Sequence, residues 1–78
     1  MEEHTIKYRI DYWRRKIGIG SVWLLREFRT AYAVVYGVSY SAKNNSIIIE
    51  YQRKDTPGII FTEEVGYFLN YMVNCRVI

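Results

Sequence analysis

Large and small residues alternate most regularly between Tyr32 and Tyr40. Tyr32, Val34, Tyr36, Val38 and Tyr40 fall at every second position, with Ala33, Val35, Gly37 and Ser39 between them. Period two places one set on each side of an extended chain. A second alternation lies nearer the N-terminus, in TIKYRIDYWRR (5–15). Ile6, Tyr8, Ile10 and Tyr12 take one side; Lys7, Arg9, Asp11 and Trp13 take the other. β-Branched and aromatic residues at period two are the signature of a half-buried strand, so an N-terminal strand is predicted over about 5–14.

The Tyr-rich run predicts a strand over about 30–42, and SIIIEYQR predicts its partner over about 46–54. Asn tolerates positive φ, so a two-residue Asn44-Asn45 loop suits a tight hairpin. That loop sets Tyr40 opposite Ile49 and Val38 opposite Tyr51. It leaves Gly37, Ser39, Glu50 and Gln52 on the other side. The small polar side cannot build a core, so the Tyr stripe is expected to be the buried face, and a stacking platform for a ligand is disfavoured. A slip of one residue would destroy this agreement.

The remaining elements follow from local signals. Gly18 and Gly20 in KIGIGS mark a bend. SVWLLREFR (21–29) reads as a short helix: Ser21 caps it, and Leu24 and Phe28 share a face at i, i+4. DTPG (55–58) is a turn in which Pro57 presets φ and Gly58 supplies positive φ. A C-terminal helix is predicted over about 62–74, with Thr62 as cap and Val65, Phe68, Leu69, Met72 and Val73 as its apolar stripe. The resulting order is β-α-β-β-α: one small two-layer α+β domain over residues 1–78, with the last helix packed on the Tyr-rich face.

Composition limits the function classes. The chain has 78 residues, half of them hydrophobic, including eight Tyr and two Trp. That is too much apolar area for a disordered chain, and the surplus predicts a homodimer. The stretch from Thr30 to Ala42 lacks charge, but a membrane span needs about 20 apolar residues, so no membrane association is expected. The N-terminus opens acidic without an apolar run, unlike a signal peptide. Cys75 is the only cysteine, which rules out an intramolecular disulfide and fits a reducing, cytoplasmic setting.

Net charge is +3, which favours anionic partners. Residues 7–29 hold seven cations against Asp11 and Glu27. Trp13-Arg14-Arg15-Lys16 is the densest cluster, and Arg9 shares a predicted strand face with Trp13. Cations hold phosphates and an indole stacks on a base, so Arg9, Trp13, Arg14, Arg15 and Lys16, extended by Arg26, Arg29 and Arg53, are the candidate binding residues. A bland alternative is an edge strand blunted by charge. His4 beside Glu2 and Glu3 lacks metal-site spacing, and no nucleophile has a base in motif context. GIG falls short of a phosphate-loop fingerprint. No cofactor, metal or catalysis is expected. Two function classes follow: a binder of nucleic acid or a nucleotide, or a protein-binding inhibitor or adaptor. The second resembles small virus- or mobile-element-encoded accessory proteins in size and composition.

Overall fold

The computed structural model describes residues 3–27 and 31–75. Its first element, α1 (Glu3–Ile17), is a helix where alternation predicts a strand. The same residues also carry a helical period, with Ile6, Ile10, Trp13 and Ile17 at i, i+4, i+7 and i+11. A strand would put Trp13 and Ile17 on the side of Lys7 and Arg9. The helix instead buries Ile17 to 4% exposure and packs Ile10 and Trp13 against the core. Gly18 ends it with φ +85°, its N–H bonding the Arg14 carbonyl at 2.9 Å, a left-handed stop suited to glycine.

The short helix predicted over 21–29 is also corrected. Val22–Leu25 is a strand, β1; Phe28 and Arg29 lie outside the described residues. Trp23 is buried at 6% exposure. Ser21 caps no helix; it accepts a 2.8 Å hydrogen bond from the Trp23 indole. β1 lies between two other strands, and that pairing overrides the helix propensity of its leucines.

The predicted hairpin forms, as β2 (Tyr32–Ser41) and β3 (Ser46–Arg53). Its register lies two residues from the one expected: Tyr40 faces Ile47 and Val38 faces Ile49. The connection is residues 42–45 rather than Asn44-Asn45 alone, with Asn45 at φ 49°. A shift of two preserves the facing of side chains near the turn. Further along, the pairing breaks: Val35 faces Tyr51 and Gly37 faces Glu50, leaving Tyr36 as an extra residue in a bulge. Beyond a bulge the inward and outward sets exchange.

The Tyr stripe is therefore divided. Val38 is buried and Tyr40 packs against the core, but on the other side of the bulge the buried residues are Ala33 and Val35. Tyr32, Val34 and Tyr36 turn to the opposite face, and Tyr36 is 54% exposed. The expectation that the whole stripe is the core face is corrected. Trp23 stands opposite Ala33; an indole there leaves room for a methyl group and none for a phenol ring.

The predicted helix over 62–74 is shorter and flanked by strands. Ile60–Glu64 forms β4, Val65–Tyr71 forms α2, and Met72–Asn74 forms β5. Glu64, not Thr62, is the cap, its carboxylate accepting from Gly66 N–H at 3.3 Å. Val65, Phe68 and Met72 do meet the core, while Leu69 is 37% exposed. The turn before β4 is as expected: Ile59 N–H bonds the Thr56 carbonyl at 3.3 Å across Pro57 and Gly58, the latter at φ 90°.

The strands form one antiparallel sheet in the order β4-β3-β2-β1-β5. Both helices contribute to a single core, where Ile17, Phe68 and Met72 meet Trp23, Ala33, Val35, Val38, Ile47 and Ile49. The fold is a two-layer α+β domain, with the far face of the sheet uncovered. Among the described residues no helix is long and apolar enough to cross a membrane.

Candidate functional site

Helix α1 carries five cations, Lys7, Arg9, Arg14, Arg15 and Lys16, against the carboxylates Glu3 and Asp11. That balance equals the net charge of the whole chain, so all other residues sum to zero. The helix has already buried its apolar stripe, which leaves Lys7, like the last turn, on the solvent side. Arg14, Arg15 and Lys16 are exposed and occupy the last turn, where cations also complement the helix dipole. Tyr8, at 64% exposure, and Tyr12, at 38%, lie on the solvent face beside Arg15. The Lys16 ammonium sits 5.9 Å from the Tyr12 ring centre.

The other sequence-derived candidates are engaged within the fold. Trp13 is half-buried against the core, edge-on to Tyr12 at 5.2 Å. Arg9 donates to the Asn45 side chain at 3.0 Å and lies 5.5 Å over the Tyr40 ring. Tyr40 donates to the same Asn45 oxygen at 2.7 Å, so the group ties α1 to the hairpin turn. Arg26 donates to the carbonyls of Asn70 at 3.0 Å and Leu69 at 3.4 Å, satisfying the open end of α2. Arg53 grips Asp55 through two hydrogen bonds of 3.0 and 2.7 Å and covers the Phe61 ring at 5.7 Å. Arg29 lies outside the described residues. The patch read from the sequence thus reduces to Arg14, Arg15 and Lys16, and gains Lys7, Tyr8 and Tyr12. The strand reading groups both Tyr residues with Ile6 and Ile10; the helical spacing of Ile6, Ile10, Trp13 and Ile17 is the signal that separates them and turns the rings out.

A second surface is the uncovered sheet face. Tyr32, Val34, Tyr36, Gln52, Arg53, Lys54 and Pro57 line a broad depression there. Lys54 stands 5.0 Å over the Tyr32 ring, and the Tyr36 hydroxyl donates to the Gln52 amide oxygen. Val22 and Ile60 extend the face at 37% and 52% exposure. Glu50 lies on this face with its side chain across Gly37, 2.8 Å from where a Cβ would project, and Glu64 lies one row beyond, opposite Ile48. At Gly37 the small polar side expected from the sequence is therefore covered by Glu50.

On the helix side, Leu25, Tyr51, Phe68, Tyr71 and Met72 enclose about 140 Å³, rimmed by Glu27, Glu63 and Arg53. Ligand pockets begin at roughly 300 Å³, so this space suits solvent or a single small ring. Burial pushes the Tyr51 hydroxyl above its ordinary value of 10.0; the nearby Glu63 carboxylate adds to the rise and Arg53 opposes it. Among the described residues no group of His, Cys, Asp and Glu is arranged to hold a metal ion, and Cys75 is exposed. The α1 surface sets exposed cations beside the exposed Tyr8 and Tyr12 rings, groups that are able to contact phosphates and to stack. Compared with family models, with curated proteins and with solved structures, the chain matches none.

Proposed function

We propose that this protein binds nucleic acid through the solvent face of α1, with Lys7, Arg14, Arg15 and Lys16 contacting phosphates and Tyr8 and Tyr12 available to stack. One observation carries this reading: the entire net charge of the chain lies in that helix. A helix of 15 residues is about 22 Å long, enough to follow several phosphates. The arrangement supports backbone contact more than base reading, since long flexible cations position a strand without specifying sequence.

Fluorescence anisotropy with labelled single-stranded and duplex oligonucleotides tests the reading. Binding is expected to weaken steeply as salt rises, and Arg14→Ala/Arg15→Ala to weaken it at least tenfold with the fold intact. Absence of binding at low salt would reject the proposal. A protein partner has separate support in the exposed apolar sheet face.

A further inference from the structure

We infer that the uncovered sheet face docks a second copy of this chain, face to face, about a two-fold axis that crosses β3 at Gln52. The outward residues form rows across the sheet. The middle row is Val22, Val34, Gln52 and Ile60, fixed by the pairings Val22↔Val34, Val34↔Gln52 and Gln52↔Ile60. One row beyond it lie Leu24 and Tyr32, with Lys54 held over the Tyr32 ring. On the other side lie Tyr36, Gly37, Glu50 and Thr62. One flank is apolar with a cation; the other holds a carboxylate.

That polarity selects the occupant. Two copies of one face can meet about an axis lying in the interface. An axis parallel to the strands would stack Lys54 on Lys54 and Glu50 on Glu50. An axis perpendicular to them keeps β3 over β3 but reverses its direction. Lys54 then meets the partner's Glu50, Tyr32 meets the partner's Tyr36, and the middle row packs on itself. Of the two, only the perpendicular axis makes the face self-complementary in charge. Aligned sheet packing about 10 Å apart accommodates it.

The size is adequate. The five strands hold 30 residues, and at about 3.4 Å along and 4.8 Å across for each they give a footprint of roughly 500 Å². Chance contacts bury less than about 400 Å² per partner, and standard interfaces about 800 Å². The α1 surface lies on the other layer of the domain and is left open.

Sedimentation of the full chain at low ionic strength and tens of micromolar tests this. Twice the 9.3 kDa chain mass is expected for the unaltered protein and for Arg14→Ala/Arg15→Ala. Lys54→Glu and Glu50→Lys should each weaken the dimer tenfold or more, because each puts like charges face to face twice. An equimolar mixture of those two variants should restore it, since every contact in the mixed pair is then opposite in sign. The doubly exchanged chain should dimerise alone. Restoration on mixing also shows that both variants are folded. A monomeric unaltered chain, a dimer indifferent to either charge reversal, or a mixture that stays monomeric would overturn the inference.

Discussion

Tyr36 stands opposite no residue of β3, and this one insertion decides what the surrounding side chains do. It lets Ala33 and Val35 fill the core beneath Trp23, while Tyr32, Val34 and Tyr36 face outward. The exchange is measurable at neighbouring positions. Val35→Ala should lower unfolding free energy by about 2 kcal/mol, through lost burial and the cavity left behind. Val34→Ala should lower it by less than about 1 kcal/mol in the same urea titration, run dilute enough to keep the chain monomeric. A core face made of the Tyr stripe would give the reverse order. Tyr51 supplies a second residue-level effect. Its hydroxyl is held above its ordinary 10.0 by burial and then by Glu63. The unfolded chain therefore loses this proton first as pH rises. The stabilisation is complete below pH 10 and is lost as pH climbs through the raised value. Urea midpoints at alkaline pH should fall less steeply in Tyr51→Phe than in the unaltered chain.

At the scale of elements, α1 is where patterning misleads. Ile6 and Ile10 belong to an alternating set and to a helical set at once, and an alternating window ending at residue 15 leaves Ile17 out. Trp13 and Ile17 decide for the helix because only there do they reach the core. Trp13→Ala should therefore cost roughly 2–3 kcal/mol, below the range for a fully buried Trp, whereas Arg14→Ala/Arg15→Ala should cost about 1 kcal/mol or less. Paired thermal melts separate the two classes. The hairpin was legible because strand pattern and turn chemistry agree locally across the 42–45 connection. β1, β4 and β5 were not, because each is a short segment whose extended state comes from pairing with residues distant in sequence. The bulge was hidden for a related reason: alternation through Tyr36 is unbroken in the sequence, and only the partner strand and the volume of Trp23 make it necessary. Of the candidate binding residues, Arg14, Arg15 and Lys16 stand on the surface as expected. Arg9, Arg26 and Arg53 are held by Asn45, the end of α2 and Asp55, partners that sequence spacing does not announce.

For the whole molecule, the two proposed roles fall on separate layers. The helix layer concentrates the net charge, and the sheet layer presents the face proposed to pack on its own copy. Dimerisation about Gln52 would place two α1 helices on opposite outer sides of the assembly, each open to a strand. If the chain binds as this dimer, Lys54→Glu should lower apparent affinity for long nucleic acids more than for short ones, because two sites on one molecule raise effective concentration. Equal losses on both lengths would count against it. An α1 surface that holds phosphates electrostatically should reveal itself in the salt dependence of binding. Four cations contacting phosphates give a slope of log affinity against log salt of about −3 to −4, with roughly −0.9 per contact on duplex and −0.7 on single strands. Arg14→Ala/Arg15→Ala should reduce the magnitude of that slope by about 1.5–2. A slope near zero, or one unchanged by the double substitution, would contradict the account.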